Sequence, residues 1–276
     1  MEQKLIDAID LAWADEQGAS FRYHLGASII GRECPREIFY SFRWWFNVQH
    51  TGRMLRLFER GQREEYAVIE SLQKIGATLH LAGDNQQHVQ LIADIYGGSC
   101  DGIITGLDSY GYTGFGVLEI KTHGSKSFAT LNRLGVKEAK QEHYAQFNQY
   151  AGHYGAEWSL YWSVNKDNDE LFLDVIPFNG ELYQYHRDRA YKILRAIEPP
   201  KRISSDPTWW KCRFCDYKSH CHGSTPPDKN CRTCEYVELR IDEDAGTHEW
   251  FCRHWRRAVP KDFSYAGCDK WSPILD

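Results

Sequence analysis

No stretch of the 276 residues approaches the roughly 18 consecutive apolar positions of a membrane-crossing helix, so no membrane partner is expected. Positive charge is not in excess either. Lys and Arg total 33 against 38 Asp and Glu, and the net −5, taken alone, discourages a nucleic-acid partner. The first residues, MEQKLIDAIDLAWADEQ, lack the basic start and apolar middle of a signal peptide. They predict a cytoplasmic protein, where thiols stay reduced and disulfides are not expected. There is no internal repeat and no low-complexity tract. What is present, 42% hydrophobic and 14% aromatic residues, excludes a disordered chain and suits one ordinary domain with a small appendage.

Nine cysteines are the exception to this plain composition. They stand at 34, 100, 212, 215, 221, 231, 234, 252 and 268, seven of them in the last quarter of the chain. Such clustering points to metal ligation rather than core packing.

Hydrophobic periodicity predicts helices over 3–16, within 27–46, over 53–75, 137–154 and 181–197. Strands are expected at 87–95, 99–105 and 115–121, with a hairpin of 158–164 and 170–176. Boundaries are expected near 200–206 and at Pro226-Pro227. This gives a core over 1–205, a cysteine segment over 206–225 and a module over 226–276.

If 99–105 and 115–121 pair as a hairpin, its turn centres near residue 110. Asp101 and Glu119 are then equidistant from the turn and face each other. Strand side chains alternate, so Glu119 and Lys121 share a face while Ile120 points away. Two close carboxylates repel unless a cation lies between them. Oxygen ligands of this kind suit Mg²⁺ or Mn²⁺. The competing reading is a set of solvated surface charges.

Three more features fit the first reading. Gly61 and Glu65 lie i,i+4 on the preceding helix, Gln146 and Tyr150 repeat that spacing on the following one, and the order is helix, three strands, helix. This set resembles the PD-(D/E)xK nuclease superfamily, in its RecB-like and phage exonuclease branch. RecB-type members carry His where this chain has Glu65, and phage-type exonucleases carry Glu. The resemblance covers roughly residues 20–222. It implies an α/β fold, a restriction-endonuclease-like mixed sheet flanked by helices. It also implies that Asp101, Glu119 and the Ile120 carbonyl hold Mg²⁺ or Mn²⁺, with Glu65 completing the shell. Lys121 would orient a water or stabilise the transition state. Gln146 and Tyr150 would position the substrate or the lysine, or else serve as ordinary helix packing.

Cys212-x2-Cys215-x5-Cys221 supplies three thiolates, one short of a closed zinc site or four-iron cluster. Cys34 is the candidate fourth. The layout resembles the iron–sulfur CRISPR-associated and AddB-type nucleases, and that resemblance implies a [4Fe–4S] cluster on these four, acting as a staple. Zinc on the same ligands is the alternative. Cys231-x2-Cys234, Cys252 and Cys268 form a second set, expected to bind Zn²⁺ in a small zinc-ribbon-like module, with His248 and His254 as competing ligands. Cys100 is left as a small hydrophobe facing away from the carboxylates.

The charge is unevenly spread. Residues 20–63 hold eight arginines and three glutamates, a local +5 that leaves −10 for the rest. Arg32, Arg36, Arg43, Arg53 and Arg60 are the expected DNA contacts. The interleaved rings of Phe39, Tyr40, Phe42, Trp44, Trp45 and Phe46 either stack on unpaired bases or, for half or more of them, form core. A second basic run, Arg253, Arg256, Arg257 and Lys261, could add a contact.

The expectation is a metal-dependent DNA exonuclease on single strands or ends. The phage-like Leu25-Gly26-Ala27-Ser28 and Gly31-x-x-Cys34 segment suggests recombination or genome processing in a host cytoplasm, with a recombination partner protein. The alternatives are a CRISPR spacer-acquisition nuclease with an adaptation partner, a non-catalytic iron–sulfur DNA-binding subunit, and an electron-transfer protein built on the cluster.

Overall fold

The segment Gly116–His123 carries Val117, Leu118 and Ile120 with few polar interruptions, the pattern of a strand covered on both faces. In the computed structural model, which describes residues 1–16 and 21–275, it is the central strand of a five-stranded sheet. We number the strands in chain order: β1 (Leu25–Gly26), β2 (Thr78–His80), β3 (Val89–Ile92), β4 (Tyr96–Gly98), β5 (Gly102–Thr105), β6 (Gly116–His123), β7 (Trp158–Asn165) and β8 (Leu171–Pro177). The large sheet runs β2-β5-β6-β7-β8, with β6 and β7 parallel and the other neighbours antiparallel.

The register of β5 against β6 pairs Gly102 with Leu118 and Ile104 with Gly116, so the hairpin centres where the sequence placed it. Helix α1 (Glu2–Glu16) packs on α3 (Gly52–Lys74), whose Thr51 cap accepts the Met54 N–H. Gly52 is demanded by this contact, since a Cβ there would overlap the Asp10 backbone. Val68 and Leu72 of α3 bury against Leu118, Ile120, Leu160 and Trp162 on one face of the sheet. The other face is covered by α4 (Ser125–Ala139), broken at Gly135 (φ 71°), and by α5 (Gln141–Tyr154).

Two differences from the expected elements stand out. The sheet's edge is β2, a three-residue strand too short to show a period. The 87–95 strand is β3 instead, and it belongs to a separate three-stranded sheet, β1-β4-β3. Helix α4 was also not foreseen, because Gly135 and a mixed polar surface blur its periodicity.

The described residues divide into two compact units. Residues 1–16, 49–89 and 98–186 form the first; 21–48, 90–97 and 187–275 form the second. The division falls inside α6 (Gly180–Arg195), upstream of the boundary expected near 200. The second unit holds α2 (Pro35–Phe42), two short turns of helix, α7 (Trp210–Arg213) and α8 (Lys218–Cys221), and the small antiparallel sheet of β9 (Val237–Asp242), β10 (Thr247–Cys252) and β11 (Arg257–Ala258).

Within the second unit, the segment around Cys34 joins the C-terminal quarter through polar groups far apart in sequence. Asn230 Nδ2 donates to the Trp44 carbonyl (2.9 Å), and the Asp228 N–H donates to Trp45 O (2.9 Å). Arg43 donates to the carbonyls of Arg232 (3.2 Å) and Ala196 (2.5 Å). Arg232 donates to those of Phe42 (3.1 Å) and Tyr23 (2.8 Å). Local composition cannot show pairings of this range. Among the described residues, no helix is long and apolar enough to cross a membrane.

Candidate active site

Glu119 occupies the middle of the central strand and is 0% exposed. A carboxylate taken out of water needs a compensating cation. Lys121 supplies one, forming an ion pair with Glu119 Oε1, while Oε2 has no hydrogen-bond partner. Continuing the β5–β6 register by one step puts Asp101 opposite Glu119. Its Oδ2 accepts the Ile120 N–H at 2.6 Å and lies 3.7 Å from Lys121 Nζ. Lys121 Nζ also donates to the Ile120 carbonyl at 3.0 Å. Two carboxylates, one ammonium and one carbonyl therefore meet at this strand pair.

The electrostatics follow from burial. Desolvation pushes the Glu119 carboxyl up and Asp101 adds to the rise, while the Lys121 ammonium pulls it back down and favours the ion pair. Burial by itself would lower the Lys121 ammonium, but Glu119 and Asp101 outweigh it and hold it charged. Glu65, on α3, is pushed up to about 7 by burial and then by Asp101, so it belongs to the same electrostatic group. Its Oε2 accepts from Gln86 Nε2 at 3.1 Å. Gln86 was missed by sequence reasoning, since it sits in a loop with no motif around it.

On α5, Gln146 and Tyr150 are buried and joined by a side-chain hydrogen bond. Burial and the nearby Glu119 raise the Tyr150 phenol well above its ordinary range. Its hydroxyl presses on Gly98, where a Cβ would overlap it. Gly61 is different: nothing lies within 4 Å of a Cβ built there, so only its spacing from Glu65 made it conspicuous.

Beside this group lies a cluster that the sequence did not flag. Tyr161 is paired in register with Glu119 across β6 and β7. Its hydroxyl meets His143 Nδ1 at 2.9 Å and His123 Nε2 at 3.1 Å, and the two imidazoles stack with centroids 5.8 Å apart. Burial, with Lys140 and Lys121 nearby, lowers His123 to about 4; burial and then Lys121 lower His143 to about 2. The parallel pairing of β6 with β7 is what gathers these residues, and no local pattern announces it.

All nine cysteines are free thiols. Cys34 caps α2 in the same unit as Cys212, Cys215 and Cys221, and burial, then Cys221 and Cys34, raise the Cys212 thiol. Cys231, Cys234, Cys252 and Cys268 line one cavity of about 380 Å³ with His254. Burial, then the other three thiols, push Cys231 up to about 11. The Trp255 N–H donates to Cys252 Sγ at 3.4 Å. His248 does not line this cavity; its Nδ1 pairs with Asp94. Cys100 is buried beside Tyr154 and pushed up to about 12 by burial. Among the described residues, no three or more His, Cys, Asp or Glu side chains are already gathered so as to hold a metal ion.

The arginine expectations need correction. Arg43 is 1% exposed, and its guanidinium donates to backbone carbonyls between the rings of Phe39 and Trp250. Arg36 is 7% exposed and donates to Pro200 O at 2.5 Å. Neither has a face left for a phosphate. Arg32 pairs with Glu37 at 2.7 Å and stays partly exposed. Arg53 and Arg60 lie on α3, with Arg60 donating to Lys166 O at 2.8 Å. Phe39, Tyr40, Phe42, Trp44 and Trp45 are core, and only Phe46 of that run reaches solvent.

No protein-family model matches this chain, and no curated protein matches it by sequence. Solved structures similar to it include the following three. LHK-Exo in complex with dAMP shares 16% identity over 65% of this chain and 90% of its own, with a TM-score of 0.45. A second LHK-Exo structure, described as an alkaline exonuclease from Laribacter hongkongensis, shares 15% over the same fractions at 0.44. SSO0001 shares 13% over 78% of this chain and 95% of its own, at 0.46.

Proposed function

We propose that the chain is a Mg²⁺- or Mn²⁺-dependent DNA exonuclease acting on single strands or ends. One observation carries the reading: a fully buried Glu119 keeps a carboxylate oxygen unpartnered beside Asp101 and Lys121, at the centre of a rigid sheet. A merely structural ion pair has no use for that open oxygen. Asp101, Glu119 and the Ile120 carbonyl form a hard-oxygen set that fits a small divalent cation, with Glu65 at its margin. When bound, such an ion supplies charge neutralisation at the phosphate and an acidified water.

The chain's own residues do the rest. Lys121, held charged by its carboxylates, donates to an oxygen that gains negative charge as the phosphodiester is attacked. Tyr150, fixed between Gln146 and Gly98, and Tyr161, fixed by two neutral histidines, keep the carboxylate face of the sheet from repacking.

The reading extends to the cysteines. Cys34, Cys212, Cys215 and Cys221 would carry a [4Fe–4S] cluster, and Cys231, Cys234, Cys252 and Cys268 a Zn²⁺ ion. Shared placement within the second unit supports the first set. The common cavity and the N–H bond to Cys252 Sγ support the second. The context would be phage-type recombination or genome processing.

The test is cleavage of 5′- and 3′-labelled single- and double-stranded DNA with Mg²⁺, Mn²⁺ or chelator, comparing wild type with Asp101→Ala and Lys121→Ala. Metal-dependent shortening from an end, lost in both variants, is expected. Equal degradation by all three proteins would sink the assignment. Anaerobic protein should be brown and contain iron and zinc; a colourless protein with two zincs would transfer the first cysteine set to zinc.

A further inference from the structure

The aromatic run chosen from sequence is core, and a different pair of rings reaches solvent. Trp210 is 62% exposed and Phe214 is 78% exposed, on either side of Cys212. Trp210 opens the short helix α7 and Phe214 caps it, four residues on. Lys211 Nζ lies 5.0 Å from the Trp210 ring centroid, and the Arg213 guanidinium lies 5.4 Å from that of Phe214. Lys211 also pairs with Glu33. Between residues 200 and 222 there are five Lys and Arg against two Asp, although the whole chain is acidic.

Two solvent-facing rings of this size within five residues are an unusual feature of a surface, and each has a cation at its side. A duplex hides the faces of its bases, whereas a single strand offers them and brings one phosphate per base. Rings for the bases with Arg213 for a phosphate therefore match an unpaired strand, Lys211 being shared with Glu33. A protein partner would be matched by the rings but not by the local charge.

We propose that Trp210 and Phe214, with Lys211 and Arg213, form a stacking platform for single-stranded nucleic acid beside the Cys212–Cys221 segment. The inference rests on the nucleic-acid part of the function proposed above, not on its chemistry.

The experiment measures fluorescence anisotropy of a 5′-labelled oligo-dT on the whole protein. An Asp101→Ala background without added divalent metal keeps the strand uncut. Trp210→Ala and Phe214→Ala should each weaken binding about tenfold, the scale of one lost base stack. Trp210→Phe should restore most of it, and the same oligomer annealed to its complement should change much less. Both side chains are largely exposed, so melting temperatures should hold, and Trp210→Phe, which keeps a ring at the same place, controls for disturbance of the neighbouring thiols. Unchanged affinity in both alanine variants overturns the proposal, as does equal loss for Trp210→Phe and Trp210→Ala. A DNA-free dimer that Trp210→Ala dissociates would assign the rings to a second copy instead. If wild type cuts no DNA yet Trp210→Ala loses binding, the exonuclease reading fails and this one stands. If wild type cuts DNA and the ring variants bind normally, the reverse holds.

Discussion

Each unit buries charge, but in opposite ways. In the first, Glu119 is enclosed with a lysine on one oxygen and nothing on the other. In the second, Arg43 and Arg232 are equally enclosed and have no carboxylate partner among the described residues. Their terminal nitrogens are bonded to carbonyls, and the Arg232 guanidinium lies over Trp44, 3.7 Å from its centroid, and over Trp250, 4.7 Å away. Burial lowers Arg43 to about 10 and Arg232 to about 9, which leaves both charged at neutral pH. The cations tie distant carbonyls together and lie against aromatic rings, which is the condition of a staple, although the Nε of each is left without a partner among the described residues. The anion keeps an unspent acceptor next to other charges, which is the condition of a site.

This contrast can be broken by substitution. Glu119→Gln removes the charge while keeping the shape. DNA cleavage should fall by about 10³-fold, the scale of losing a group that stabilises transition-state charge. The metal-free protein should melt close to wild type, because the desolvation cost removed with the Glu119 charge offsets the lost pairing with Lys121, which Asp101 still faces at 3.7 Å. Any melting-temperature rise that Mg²⁺ gives wild type should disappear. A large drop in metal-free stability would make Glu119 a structural residue. Arg232→Ala should do the opposite. It leaves the Phe42 and Tyr23 carbonyls unpaired and opens a hole among four rings, a loss of about 3–4 kcal/mol in denaturant unfolding. Activity should persist wherever the variant remains folded.

Acid should separate the units further. An unfolded histidine takes up a proton near pH 6.5, whereas His123 resists until about 4 and His143 until about 2. Below 6.5 the unfolded chain therefore binds protons that the folded one does not, and stability is lost as pH falls towards 4. Above 6.5 these groups contribute no pH dependence. His123, which is buried, accounts for up to ~3 kcal/mol of this loss. His123→Gln should flatten the acid limb of a melting-temperature profile between pH 6.5 and 4.5. An unchanged limb would show that other groups set it.

The sequence disclosed most where the chemistry is local. The β5–β6 register followed from counting outward from the turn, and Asp101 and Glu119 stand one step beyond its last pair, Gly102 with Leu118. The β7–β8 hairpin and the long helix α3 were equally legible from period and turn residues. What stayed hidden depends on long-range pairing. Tyr161 reaches the site only because β6 and β7 run parallel, joined through two helices. Arg43 looks like a DNA contact until Arg232, 189 residues later, is seen beside it. Arginine-rich and aromatic composition reads alike for a nucleic-acid surface and for a cation–ring core, and only burial distinguishes them.

Two glycines give the smallest and sharpest test. Gly61 and Gly98 both border the candidate site, but for different reasons. Gly61 lies inside α3 with open space around a would-be Cβ and no unusual backbone angle, so a methyl group there clashes with nothing. Replacing glycine by alanine in a helix removes unfolded-state freedom, so Gly61→Ala should stabilise the protein by about 0.5–1 kcal/mol and leave cleavage unchanged. At Gly98 the same change drives a methyl into the Tyr150 hydroxyl. Tyr150 is buried and tied to Gln146, so the strain falls on the residues next to Glu119. Gly98→Ala should therefore lower stability by about 1–3 kcal/mol and reduce cleavage with it. Loss of cleavage in Gly61→Ala would show that nucleic acid passes within a methyl's width of α3, and the glycine would then be required by the substrate rather than by the fold.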